Sequence, residues 1–141
     1  MIRIANQNKK DEGIEDNIDY ILGTAEDMSM LEDNSFDAVI SHDSLHHWDY
    51  PIKIFNEIAR VLKDDGILCI GDGRRDIGIG AKLIFNIAKL FISKTMSYYW
   101  KTSIMASYTP EEARDLLNKT DLKERYEVNA DLFDLMICSK L

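Results

Sequence analysis

At 141 residues the chain is one domain by length, able to bury a core but small for an α/β enzyme. A net charge of −8 gives a surface that repels phosphate backbones and counts against nucleic acid as a partner. No apolar run reaches the length of a membrane span and no signal peptide is visible, so no stable membrane insertion is expected; Cys69 and Cys138 sit in apolar, strand-like runs and read as buried free thiols of a reducing, cytoplasmic compartment.

Met1, Ile2 and Ala5 give a partial apolar stripe, and polar residues 9–12 run into Gly13, which predicts a helix over 1–12 with a glycine stop. Ile18–Leu22 predicts a strand, closed by Gly23-Thr24-Ala25-Glu26. Ser35–Ser41 predicts another strand. After Asp43-Ser44-Leu45-His46-His47-Trp48, Pro51 suits a first helical turn, and Ile54, Phe55, Ile58, Ala59 and Leu62 share one helical face. Asp64-Asp65-Gly66 predicts a turn with Gly66 at positive φ. Ile67–Ile70, apolar on both faces, then reads as a buried parallel strand. Strand, loop, helix, turn and strand make a βαβ unit. Ligands in open α/β sheets bind beyond the carboxyl ends of the strands, which marks residues 41–50 and 71–76; as mere connectors these loops would be polar as well.

Further on, Lys82, Asn86, Lys89 and Ser93 form one polar stripe on an otherwise apolar helix over 79–93, followed by Tyr98-Tyr99-Trp100. Three readings stand: a helix buried over the sheet, a lid over an apolar or aromatic acceptor, or an interfacial membrane contact, since every charge on it is positive. The buried helix is the favoured one, and the protein's acidic balance disfavours the membrane. Thr109-Pro110-Glu111-Glu112 is a capping box with proline at the first helical position, and Ala113, Leu116 and Leu117 give that helix its apolar face. Tyr126 and Val128 alternate as one strand, and residues 132–139 form another after a turn at 129–131.

Four segments together resemble the middle of a class I S-adenosylmethionine-dependent methyltransferase, of the small-molecule type related to ubiquinone and menaquinone methyltransferases. They are Gly23-Thr24-Ala25-Glu26-Asp27-Met28, Asp33-Asn34-Ser35-Phe36-Asp37-Ala38-Val39, Leu45-His46-His47 and Arg60-Val61-Leu62-Lys63-Asp64-Asp65-Gly66. The resemblance is firm from Met1 to about Arg75, looser from Tyr108 to Leu141 and weak between. It implies an α/β, Rossmann-like methyltransferase sheet of strand order 3-2-1-4-5-7-6, with Ile18–Leu22 as strand 3 and Phe36–Ile40 as strand 4. The first two strands and the glycine-rich loop are missing from that pattern, which leaves a single partial domain over 1–141. An antiparallel pair closes it, and a helical, lid-like insertion occupies about 77–105. The implied cofactor is S-adenosyl-L-methionine and the implied partner a small-molecule methyl acceptor.

The same resemblance implies site residues. Met1 follows the family's second strand. Thr24 stands where an acid usually accepts from the adenine amino group, with Ala25 and Glu26 beside it. Ser41 and His42 line the methionine end. His47 is the candidate general base, a role imidazole suits near neutral pH. Glu26 reads equally as a solvated charge, and His46 rather as loop packing. Three histidines with Asp43 and Asp49 are a legitimate ligand set, but their spacing fits no metal motif, so no metal is expected. Arg74 and Arg75 either clamp an acidic substrate group or pair with Asp72 or Asp76. Unpaired sheet edges invite self-association, and the cofactor is expected to bind weakly unless a partner completes the site. The alternatives are a non-catalytic methyltransferase-like fragment or interaction subunit, and a membrane-surface binding module.

Overall fold

The computed structural model describes residues 2–14 and 17–140, so the expectation for Met1 lies outside the described residues. The first helix, α1 (Ile2–Asp11), ends at Gly13, whose φ of 67° is open to glycine at no steric cost. The expected strand over 18–22 does not form. Strands exist by pairing, and this segment has no neighbour in the sheet, so Tyr20, Ile21 and Leu22 stand exposed.

The sheet begins with β1 (Phe36–His42) and continues through β2 (Leu62–Gly73), with α2 (Pro51–Val61) crossing between them. β1 and β2 are parallel, which gives the expected βαβ unit. Pro51 takes the first helical turn, and α2 turns Ile54, Phe55 and Ile58 into a core shared with Leu68 and Ile70 of β2, with Val61 buried as well. The expected turn at 64–66 is instead a bulge. Phe36 pairs with Leu62 and Ala38 with Ile67, so residues 63–66 bow out while the strand continues. Gly66 has no positive φ; it is needed for space, since a Cβ there would lie 2.6 Å from Leu62 Cδ1 and 2.9 Å from the Lys63 carbonyl.

The later part of the chain folds into α3 (Ile79–Ala88), α4 (Lys94–Ala106), α5 (Pro110–Leu117), β3 (Tyr126–Ala130) and β4 (Asp134–Ser139). The capping box is realised in both directions: Thr109 Oγ1 accepts from the Glu112 N–H at 3.2 Å, and Glu112 Oε2 accepts from the Thr109 N–H at 2.8 Å. β3 and β4 are antiparallel, joined by a turn in which Asp131 Oδ1 accepts from the N–H groups of Phe133 and Asp134. The sheet order is β1-β2-β4-β3, with β4 antiparallel to β2. This is the 4-5-7-6 portion of the methyltransferase order. Cys69 and Cys138 are free and directly opposite each other on β2 and β4; they are half-buried rather than buried, because the central strand keeps one side partly open.

The helix expected over 79–93 ends at Ala88, and Ser93 belongs to the start of the next helix. It caps α4, its hydroxyl accepting from the Met96 N–H at 3.1 Å. The expectation of a buried helix is also overturned. Of α3 only Ala81 is buried, and Leu83, Ile84 and Ile87 remain more than half exposed. The reason is where the pair packs. Phe85 of α3 meets Trp100 of α4 (ring centroids 4.1 Å apart) and Phe133 at the β3–β4 turn (5.8 Å), so one narrow aromatic contact serves both helices. No described helix is long and apolar enough to cross a membrane.

Candidate active site

Two adjacent parallel strands end beside each other, with His42 of β1 in register with Gly71 of β2. Asp43, at φ 51°, turns the chain away from β1. A single 3-10 turn over Leu45–His47 follows, fixed by the fully buried Leu45 and by Trp48 standing edge-on to Phe55 at 5.4 Å. This anchoring holds His46 over the end of β2, where Asp72 waits.

Asp72 is 2% exposed, and a buried carboxylate is costly unless its lone pairs are filled. They are filled three times. Oδ2 accepts from the His46 backbone N–H at 2.8 Å; Oδ1 accepts from the Gly73 N–H at 2.7 Å and lies 2.7 Å from His46 Nδ1. A carboxylate can only accept, so Nδ1 carries a proton, and in the neutral form of the ring the lone pair is on Nε2. Among the described residues Nε2 has no hydrogen-bond partner, and His46, its side chain 7% exposed, lines the cleft beyond.

That cleft has a volume of about 700 Å³. One wall is the strand ends, with His42, His46, His47 and Asp72; the other is α3 and α4, with Phe85, Trp100 and Ile104. Asp43, Arg74 and Asp134 line the cleft as well. Burial holds the Asp134 carboxyl above its usual range, and the charges of Asp131 and Asp43 push it the same way. Of the charged residues lining the cleft three are acidic, Asp43, Asp72 and Asp134, and one, Arg74, is basic.

The expected site residues divide. His42 and His47 line the cleft with His46; His42 Nδ1 lies 3.0 Å from Asp43 Oδ2, and the His47 ring centroid is 4.0 Å from that of His46. Ser41 hydrogen-bonds Ser44 beneath the turn, and neither it nor Thr24, Ala25 or Glu26 lines the cleft. Thr24–Asp27 form a tight turn whose position is set from α2. Glu57 accepts from the Met28 N–H at 2.8 Å, and Arg60 donates to the carbonyls of Met28 and Leu31 and to Asp33. Arg60 and Glu57 thus hold residues 28–33 in place, and the Arg60 hydrogen bond, then the Met28 N–H, keep the Glu57 carboxyl below its usual range.

Both arginines after β2 are engaged within the chain. Arg74 grips Asp76 with two nitrogens, at 2.8 and 2.9 Å, and donates to the Asp131 carbonyl. Arg75 pairs with Glu112 and the Ser107 carbonyl. Asp72 pairs with neither; its partner is His46, which reads from the sequence as loop packing. The readable signal was an acid immediately after a doubly apolar strand and before a glycine, at the carboxyl edge. Among the described residues no three His, Cys, Asp or Glu side chains converge on one ion site.

Comparison with known proteins points one way. Residues 1–70 match the Methyltransferase domain family. An uncharacterized methyltransferase of Bacillus subtilis, YcgJ, is 35% identical over 72 residues, which is 51% of this chain and 28% of that protein. The crystal structure of a putative S-adenosyl-L-methionine-dependent methyltransferase from Methanococcus maripaludis superposes with a TM-score of 0.68 at 28% identity, covering 98% of this chain and 61% of that one. The plantazolicin methyltransferase BamL, solved with a triazolic desmethylPZN analog and SAH, shares the fold at a TM-score of 0.67 and 24% identity, covering 89% of this chain and 45% of its own. The chain thus spans between a quarter and two thirds of the length of these relatives. Four strands in the methyltransferase order, a βαβ unit carrying the matched motifs and these likenesses make the chain a member of the class I S-adenosylmethionine-dependent methyltransferase family.

Proposed function

We propose that the chain methylates a small-molecule acceptor bearing an ionisable O–H or N–H, with His46 as the base. The observation that carries this reading is the His46–Asp72 pair opening on the cleft at the strand ends. S-adenosylmethionine, when bound, supplies a methyl group already activated by its sulfonium. What remains for the protein is alignment and removal of a proton. His46 Nε2 takes the acceptor's proton as its lone pair is committed to the methyl group, and Asp72 stabilises the imidazolium through Nδ1–H. The family resemblance pointed to His47; the carboxylate partner moves the base to His46 and leaves His47 to shape the same wall. The excess of acidic over basic residues in the lining suits the donor's positive charge.

The cofactor contacts proposed are Thr24, Ala25 and Glu26 for the adenosine and Ser41 and His42 for the methionine end. Thr24 can accept a hydrogen bond but lacks the charge of an acid, so the adenine contact is weak. Titrating S-adenosylhomocysteine into isotope-labelled protein tests this. Amide shifts at 24–27 and 41–43 are expected; shifts confined to other segments, or none, would remove the assignment.

A second reading, a methyltransferase-like subunit that associates through its sheet edge, has one observation in its favour. β1 ends the sheet with Ile40 76% exposed. A concentration-dependent dimer that Ile40→Lys abolishes is the expected result; a monomer at all concentrations excludes it.

A further inference from the structure

Behind the cleft lies a second cavity of about 290 Å³. The two share a wall, since Ile77, Phe85, Trp100 and Ile104 line both. The charge of the second cavity is opposite to that of the protein. Arg75, Lys82, Lys89 and Lys101 line it, and among the described residues no carboxylate does. Arg75 is held by Glu112, but Lys89 Nζ reaches only the Asn86 amide oxygen, at 3.3 Å. The segment supplying the lysines, residues 77–110, contains no Asp or Glu at all, in a chain with 25 of them. An acid-free run of this length in so acidic a chain places positive potential at one spot, around an apolar cavity adjoining the proposed site of chemistry.

We propose that this cavity receives the anionic end of the acceptor, which is therefore an amphipathic acid. Its apolar body lies against Phe85 and Trp100, and its carboxylate or phosphate monoester lies among Lys82, Lys89 and Lys101. The end to be methylated points back to His46. Ammonium groups bind such anions as point charges and are indifferent to their shape, so the cavity selects for charge and for an apolar stem. A volume near 290 Å³ holds a chain or ring of drug-fragment size, at the lower end of ligand pockets. That the bound acid is the methyl acceptor rests on the methyl-transfer reading; the anion site itself does not.

The test uses no methyl donor, so its failure is distinct from failure of the catalytic reading. Trp48 and Trp100 are the two tryptophans, and Trp48→Phe leaves Trp100 as the sole reporter. Octanoate, octyl phosphate and the neutral octanamide are titrated against its fluorescence. Octanoate or octyl phosphate should bind saturably and about tenfold or more tighter than octanamide, a preference that added salt reduces. The double substitution Lys82→Glu/Lys101→Glu, at exposed positions on helix surfaces, should abolish the preference while leaving the circular dichroism spectrum unchanged. Equal affinity for acid and amide, an unchanged preference in the double variant, or a response to phosphatidylglycerol vesicles alone would each overturn the proposal.

Discussion

Asp72→Asn removes one charge and changes almost no volume, so its effect reports the charge and its hydrogen bonds rather than packing. The carboxylate accepts from two backbone N–H groups and one imidazole. An asparagine cannot satisfy all three. If its oxygen replaces Oδ1, its NH2 group confronts the His46 backbone N–H. If it flips, the NH2 group confronts the Gly73 N–H instead. Either way one buried backbone donor is orphaned, at about 1–3 kcal/mol, and the charge-assisted bonds weaken to neutral ones. The sum is about 2–4 kcal/mol out of the roughly 5–15 kcal/mol typical of a domain. Urea unfolding followed by tryptophan fluorescence measures it. His46→Ala leaves both backbone bonds in place and should cost less, and the double variant should show a coupling of about 0.5–3 kcal/mol between the two side chains. A loss under about 0.5 kcal/mol in Asp72→Asn, the range of an ordinary surface substitution, would refute the buried, triply bonded carboxylate.

Cys69 and Cys138 face each other across β2 and β4, so mild oxidation should join them within one chain and remove both titratable thiols; two thiols persisting, or a linked dimer, would mean a different register. Gly66→Ala should destabilise by about 1–3 kcal/mol through contact with Leu62, and Leu62→Val should recover part of the loss; no recovery would point to backbone conformation instead. Glu57 has a depressed carboxyl in the folded state, held first by Arg60 and then by the Met28 N–H. Its contribution is complete above the unfolded value, about 4.3, and is lost as pH falls through the depressed one. Glu57→Gln should therefore be less stable than the parent at neutral pH, with a gap that closes in acid; a gap independent of pH would exclude the ion pair as its source.

The half of the chain with strong local signals was legible without coordinates. Pro51 and the apolar face of α2 and the Thr109–Glu112 box each specify an element by themselves; the apolar Ile67–Ile70 gives its strand, but only Leu68 and Ile70 are buried and Ile67 stays 59% exposed. What failed depended on neighbours. Residues 18–22 have strand composition, yet a strand also needs an edge to pair with. The bulge at 63–66 has the composition of a turn, and only the register against β1 distinguishes them. Ser93 falls on the polar stripe of α3 by spacing, but a serine hydroxyl is equally suited to start a helix, and here it starts α4. In the site, the sequence marked the histidine-rich loop and the segment after β2, but not the bond between them. His46 and Asp72 are 26 residues apart, and nothing local says that the one buries its ring against the other.

The most direct test follows release of S-adenosylhomocysteine from S-adenosylmethionine, with a panel of aromatic and aliphatic hydroxy acids as acceptors, for the parent chain, His46→Ala and His47→Ala. The parent should turn over at least one acceptor, His46→Ala should fall by roughly 10²–10⁴-fold as expected for loss of a positioned base, and His47→Ala should stay within about tenfold of the parent. Equal rates in the parent and His46→Ala, or no release with any acceptor, would contradict the assignment.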